Sequence, residues 1–256
     1  NELAKKFQFK AFITTLNSMT DSLNPQQAGA YLSTLSKYIL QQDTVNFTDE
    51  TLSLFIKLLR QIINPTNSPC FLASIEKVII GIEETKKEQF LTQISALPQN
   101  IQPIVSSQFA LIHREFISDV AFKLFDTTPH ARNADFYAAW CQAAVMLLKD
   151  IKSDTIDPLL VFSAIDLVLS DKVAETGCRF LLLEASLSFF DDLLAQQLVK
   201  VHFRTLSQQY NPYAIDELLM FANTAIEKGV IKADDIIPLL IGDFRVSPNL
   251  LKAFIA

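Results

Sequence analysis

Apolar residues recur along the chain at the three- and four-residue spacing of an α-helix. The stretch from Leu52 to Ile63 is the clearest case, since its large apolar residues form one continuous helical stripe. Comparable stripes follow over the whole length, and none shows the sustained period-two alternation of a half-buried strand. The pattern predicts an all-α protein of about 12–13 helices and no sheet.

Prolines mark where many of these helices are predicted to begin. A proline is tolerated at the first helical position, because its missing N–H would have no intrahelical partner there. Six positions fit this rule, and they are Pro25, Pro69, Pro103, Pro158, Pro212 and Pro248. Each interval holds about two helices, the length of a hairpin in helical arrays. We therefore expect consecutive antiparallel hairpins, arranged as a degenerate HEAT/armadillo-like α-solenoid or as an irregular helical bundle.

The stretch Phe136–Leu148 carries no charge and holds the only tryptophan of the chain, Trp140. It is shorter than the roughly 20 apolar residues that a membrane helix needs. We interpret it as a buried core helix at the centre of a single helical-repeat-like domain over residues 1–256. The chain ends in an apolar pattern without a cap, so we expect it to be a segment of a longer protein.

The histidines offer no local metal site. They are His113, His130 and His202, and no two of them have the spacing of a zinc motif. The stripe that starts at Pro103 runs to about Phe125, which predicts the longest helix of the chain and places His113 inside it. Each histidine is expected to be partly exposed on a helix.

Composition excludes several function classes. The chain has only five glycines, and it lacks the glycine-rich motifs that bind phosphates and the signatures of kinases and serine hydrolases. Its formal net charge is −6 and its basic residues are dispersed, so nucleic acid is not an expected partner.

Three separated cysteines predict free thiols in an intracellular, reducing compartment, the cytoplasm or the nucleus. Cys141 lies inside the apolar stretch and is expected to act as a small buried hydrophobe. Cys178, which precedes Arg179, is the better candidate for a reactive thiol, and Cys70 follows a proline that begins a helix.

The pair Asp191–Asp192, which follows two phenylalanines, is the most suggestive local chemistry. It is similar to part of the aspartate-rich motif with which the all-α class I terpene synthases hold Mg²⁺, although Ala195 stands where that motif has its last acid. The resemblance implies a metal bound to a diphosphate. The simpler interpretation is that the two residues cap the next helix at a tight corner.

The function expected from these patterns is a protein–protein interaction scaffold, or a subunit of a larger complex, that binds a peptide or helix on an extended helical surface. Arg114, Arg132 and Arg179 are possible polar anchors. The alternative is an all-α enzyme that binds a diphosphate or lipid with Mg²⁺ at Asp191/Asp192. A third possibility is a subunit that needs a partner to complete its core. No catalytic, cofactor or metal residue is assigned, and the oligomeric state stays open.

Overall fold

The computed structural model of the protein describes residues 2–41, 49–62, 69–127, 134–170, 176–207 and 212–241. Within these ranges the chain forms thirteen α-helices and no strand, which confirms the all-α prediction. The chain divides into two compact units, Asn1–Arg114 and Glu115–Ala256. That the whole chain is a single domain stays a prediction.

Unit 1 contains six helices. They are α1 (Glu2–Met19), α2 (Pro25–Gln41), α3 (Asp49–Ile62), α4 (Pro69–Ile80), α5 (Lys87–Ile94) and α6 (Gln102–Ile112). Helix α2 contacts both α3 and α4, α1 contacts α3, and α6 contacts both α4 and α5. Contacts between alternate helices therefore join most of this unit.

Unit 2 contains seven helices. They are α7 (Ile117–Asp126), α8 (Ala134–Leu148), α9 (Pro158–Ser170), α10 (Thr176–Phe189), α11 (Asp192–Ser207), α12 (Pro212–Glu227) and α13 (Ala233–Ile241). One row of contacts joins α7, α9, α11 and α13, and a second row joins α8, α10 and α12. The rows are connected by the pairs α7–α8, α9–α10 and α11–α12. Unit 2 is thus built as two layers of helices.

The prolines begin helices as predicted. Pro25, Pro69, Pro158 and Pro212 each open a helix, and Pro103 lies in the first turn of α6. Pro248 lies outside the described residues.

Polar caps precede several of these helix starts. Asn24 accepts the N–H of Gln27 at 2.9 Å, and the Gln27 side chain accepts the N–H of Asn24 at 3.1 Å, which forms a reciprocal capping box.

The predicted long helix from Pro103 to Phe125 is wrong. The chain leaves the helical conformation at His113, where φ is −104° and ψ is 83°, and α7 begins only at Ile117. His113 is buried, and its Nε2 lies 3.0 Å from the Ile79 carbonyl oxygen near the end of α4. The side chain also contacts the ring of Phe109 at 4.8 Å. A hydrophobic stripe cannot reveal this break, because apolar residues continue on both sides of it.

The ends of several helices use donors from distant parts of the chain. The last carbonyls of a helix have no intrahelical partner, and a glycine at the following position commonly helps to satisfy them. Gly229 does so at the end of α12, with φ of 70° and with hydrogen bonds from Gly229 N–H to Ile226 O and from Val230 N–H to Ala225 O. At the end of α2 a side chain supplies the donor, since Lys77 Nζ donates to Leu40 O at 3.0 Å.

Trp140 has the largest side chain among the residues that donate to the end of another helix. Its indole Nε1 donates to Leu124 O in the last turn of α7 at 2.9 Å, and its ring meets the Phe125 ring edge-on at 5.7 Å. The side chain is 1% exposed. The prediction of a buried helix over Phe136–Leu148 is confirmed, and this helix ties α7 to α10 within unit 2.

Trp140→Ala should lower the free energy of unfolding by about 3–5 kcal/mol, because it leaves a large cavity. Trp140→Phe keeps most of the ring but leaves the Leu124 carbonyl without its donor, so a loss of about 1–3 kcal/mol is expected. Urea unfolding followed by circular dichroism measures both, with the exposed Gln142→Ala on the same helix as control. A loss below about 1 kcal/mol for Trp140→Ala would show that the indole does not hold this unit together.

Candidate functional site

Asp191 is a helix cap. Its Oδ1 accepts the N–H of Leu194 at 2.9 Å, and Asp192 is the first residue of α11. Both aspartates are exposed, whereas the two preceding phenylalanines are buried and their rings contact each other. In the described ranges, no group of three or more His, Cys, Asp or Glu side chains has a geometry that could hold a metal ion. The geometry of Asp191 is therefore that of a helix cap, which is the simpler interpretation of the sequence.

Two substitutions distinguish a helix cap from a metal ligand at Asp191. Asp191→Ala should lower the free energy of unfolding by about 1 kcal/mol because the cap is lost, whereas Asp191→Asn should change it little because asparagine caps equally well. Urea unfolding measures both. A metal ligand behaves differently, since either substitution would then abolish any thermal stabilisation of the wild type by Mg²⁺ and pyrophosphate.

His202 lies buried between α11 and its neighbours. It is 2% exposed, and its ring meets the Phe221 ring of α12 edge-on at 5.2 Å. Arg179 of α10 is also buried. Burial, together with the nearby Arg179 charge, lowers the pKa of His202 to about 3, so its imidazole is neutral at pH 7. The expectation of partly exposed histidines is wrong for His113 and His202, and His130 lies outside the described residues.

We expect this burial to make the stability of unit 2 sensitive to acid. The pKa of His202 is about 3 in the folded state and 6.5 in the reference state, so the unfolded chain binds a proton first as the pH falls. The stability that depends on neutral His202 is complete above pH 6.5 and is lost progressively towards pH 3. The free energy of unfolding should fall by about 2 kcal/mol between pH 7 and pH 5.

Urea unfolding followed by the fluorescence of Trp140 measures this change in the unit that holds His202. The variant His202→Leu cannot take up the proton, so its free energy of unfolding should change less over the same pH interval. Equal pH dependence in the two proteins would contradict the assignment.

The remaining predicted residues are dispersed. Cys141 is buried and forms no disulfide, as expected, and the side chains of Cys70 and Cys178 lie outside the described part. Among the possible anchors, Arg114 is exposed, Arg132 lies outside the described residues, and Arg179 is only 7% exposed. Arg179 therefore presents little surface to a partner.

Helices α9 and α11 have equivalent patterns of burial, a feature that the sequence reasoning missed. Their core positions coincide after a shift of 34 residues, so that the buried residues Val161, Ala164, Ile165, Val168 and Leu169 correspond to Ala195, Leu198, Val199, His202 and Phe203. The shift also relates exposed apolar residues: Leu159 (62% exposed) corresponds to Leu193 (66%), and Leu167 (55%) to Val201 (36%). The spacing of prolines hides this relation, because α9 begins with Pro158 and α11 with Asp192.

Two contacts show how neighbouring helices in unit 2 are aligned. The Phe162 ring in the first turns of α9 lies 5.9 Å from the ring of Phe190, which immediately precedes α11. Lys228 Nζ, just after α12, donates to the Ser188 hydroxyl near the end of α10 at 2.8 Å. The linkers 149–157, 190–191 and 228–232 therefore lie along one edge of unit 2, together with the first residues of α9, α11 and α13.

This edge is acidic. Its exposed carboxylates belong to Asp150, Asp154, Asp157, Asp191, Asp192, Glu227, Asp234 and Asp235, and its exposed ammonium groups to Lys149, Lys152, Lys228 and Lys232. The eight carboxylates and four lysines give a formal charge of −4, against −6 for the whole chain. Exposed Leu159 and Leu193 lie at the same edge. The arrangement can bind a cationic and partly apolar surface.

No protein-family model, curated protein or solved structure matches the chain. No helix in the described ranges is long and apolar enough to cross a membrane.

Proposed function

We propose that the protein is a non-catalytic interaction scaffold, a degenerate helical array that binds a protein partner along its helical surface. The observation that carries the proposal is the equivalence of α9 and α11. The two helices bury the same positions and expose large apolar side chains at the same positions. A repeat of this kind displays one recognition element at regular intervals, as HEAT and armadillo arrays do.

The helix contacts support the same proposal. In unit 2, α9 contacts α7 and α11, while α10 contacts α8 and α12, so each layer grows by addition of alternate helices. Such stacking leaves the outward side of each layer free for a ligand. The exposed apolar side chains on α9 and α11 occupy that side, and exposed apolar surface in a stable protein often marks an interaction site.

The alternative enzyme gains no support from this geometry. One oxygen of Asp191 accepts a hydrogen bond from α11, and the two phenylalanines before it are buried rather than exposed to a substrate. Cys141 is buried and forms no disulfide, which supports our proposal that the protein works in a reducing, intracellular compartment.

Photo-crosslinking tests the scaffold. A benzophenone side chain is placed at the exposed positions Ser163 on α9 and Gln197 on α11, and at Gln142 on α8 and Asn223 on α12 in the other layer. We expect an adduct with one protein at neighbouring positions of a single layer, and competition by the unlabelled chain. The adduct partner, expressed separately, should rebind in calorimetry with a micromolar or tighter Kd, as is usual for specific peptide recognition.

Two results would contradict the scaffold. One is that no crosslinked protein rebinds the purified chain. The other is a reproducible rise in melting temperature with Mg²⁺ and pyrophosphate that Asp191→Asn abolishes, which would favour the diphosphate-binding enzyme.

A further inference from the structure

We propose that the outward face of α9 and α11 binds a basic amphipathic helix of a protein partner, with its apolar stripe on Leu159, Leu193, Leu167 and Val201 and its lysines or arginines against the acidic edge. This inference rests on the proposed function and specifies the surface and the chemistry of the ligand.

The four apolar side chains have dimensions suited to a helix. Leu159 and Leu193 are the second residues of α9 and α11, while Leu167 and Val201 are the tenth residues. Eight residues along a helix span about 12 Å. Neighbouring helix axes lie about 8–10 Å apart. The apolar stripe of a bound helix repeats over a similar length, since residues i and i+7 are about 10.5 Å apart.

One charged residue beside this face is half-buried. Asp166 precedes Leu167 on α9 and is only half-exposed, and burial raises the pKa of its carboxyl above the ordinary value. Gln197 and Ser163 lie between the two apolar rows and are exposed and uncharged. The two charged residues of the face, Asp166 and the exposed Lys200 that corresponds to it on α11, have opposite formal signs, so the net negative charge beside the face comes from the acidic edge.

Charge decides which partner fits. Asp157 and Asp191 are the caps of α9 and α11, and Asp192 follows directly, so three carboxylates adjoin Leu159 and Leu193. A second copy of this chain placed symmetrically on the same face would bring its own acidic edge and no excess of basic side chains, so it would not supply the opposite charge. A helix with basic residues beside its apolar stripe satisfies both features of the surface.

Fluorescence anisotropy on the full chain tests the proposal with three labelled 18-residue synthetic peptides. The first is a leucine–lysine amphipathic helix. The second replaces its lysines by glutamates. The third has the composition of the first with the apolar stripe scrambled. We expect the first peptide to bind at least tenfold more tightly than either of the others, and its affinity to fall as salt is raised.

Variants locate the binding. Leu159→Ser combined with Leu193→Ser should weaken the first peptide at least tenfold, and both side chains are exposed enough for the fold to be kept. Asp157→Asn combined with Asp191→Asn removes charge but retains the caps, and should weaken binding about threefold and reduce its salt dependence. The matched control, Leu181→Ser with Met220→Ser, changes exposed apolar residues of the other layer and should leave the affinity unchanged.

The proposal is overturned if the scrambled peptide binds equally well, if the glutamate peptide binds equally well, or if the leucine variants bind like wild type. It is also overturned if the wild type sediments as a dimer that the leucine variant dissociates, since the face is then covered by a second copy. Crosslinks confined to Gln142 and Asn223, with no peptide binding, would reject this face and retain the scaffold. If no crosslinked protein rebinds the chain and the first peptide does not bind either, both the scaffold and this binding face are rejected.

Discussion

The structure depends on how the carbonyls at the ends of its helices are satisfied. These groups have no partner within their own helix, and a chain with five glycines can use the glycine cap only rarely. Carbonyls at or just beyond four helix ends accept hydrogen bonds from side chains of other segments, and two of them, those of Thr20 and Ile79, also accept a nearby backbone N–H. The pairs are Gln61–Thr20, Lys77–Leu40, His113–Ile79 and Trp140–Leu124. Because each donor belongs to another segment, the hydrogen bond that satisfies the end of one helix also fixes the position of the segment that carries the donor.

This constraint links the fold to its proposed use. The donors and the buried faces lie inside each unit, so helix neighbours are specified internally and the outward faces are free to differ. On α9 and α11 the outward faces carry leucine and valine at equivalent positions, where polar side chains would leave the core unchanged. The buried His202 shows the opposite situation, because at the position equivalent to Val168 a polar ring is held neutral at a cost in acid stability.

Much of the fold could be predicted from the sequence, and the reason is local. Helix starts are determined by adjacent residues, as in the Asn24–Pro25 cap. The uncharged stretch around Trp140 is buried, as its composition indicates. Features that depend on residues distant in sequence could not be predicted. His113 interrupts a continuous stripe because its partner is Ile79, and the burial of His202 depends on α10 and α12. The apolar face depends on the packing of α9 beside α11, which the sequence pattern does not reveal.

The single tryptophan gives a direct measurement of the central claim, since its indole N–H is one resolved proton in a nitrogen-correlated NMR spectrum. If the bond from Trp140 to Leu124 O closes α7 and fixes α8 against it, this proton is buried and exchanges with solvent only when unit 2 unfolds. We predict exchange slowed to the rate of the most protected backbone amides of α8 and α10. Exchange within seconds at neutral pH, at the rate of an exposed indole, would contradict the account.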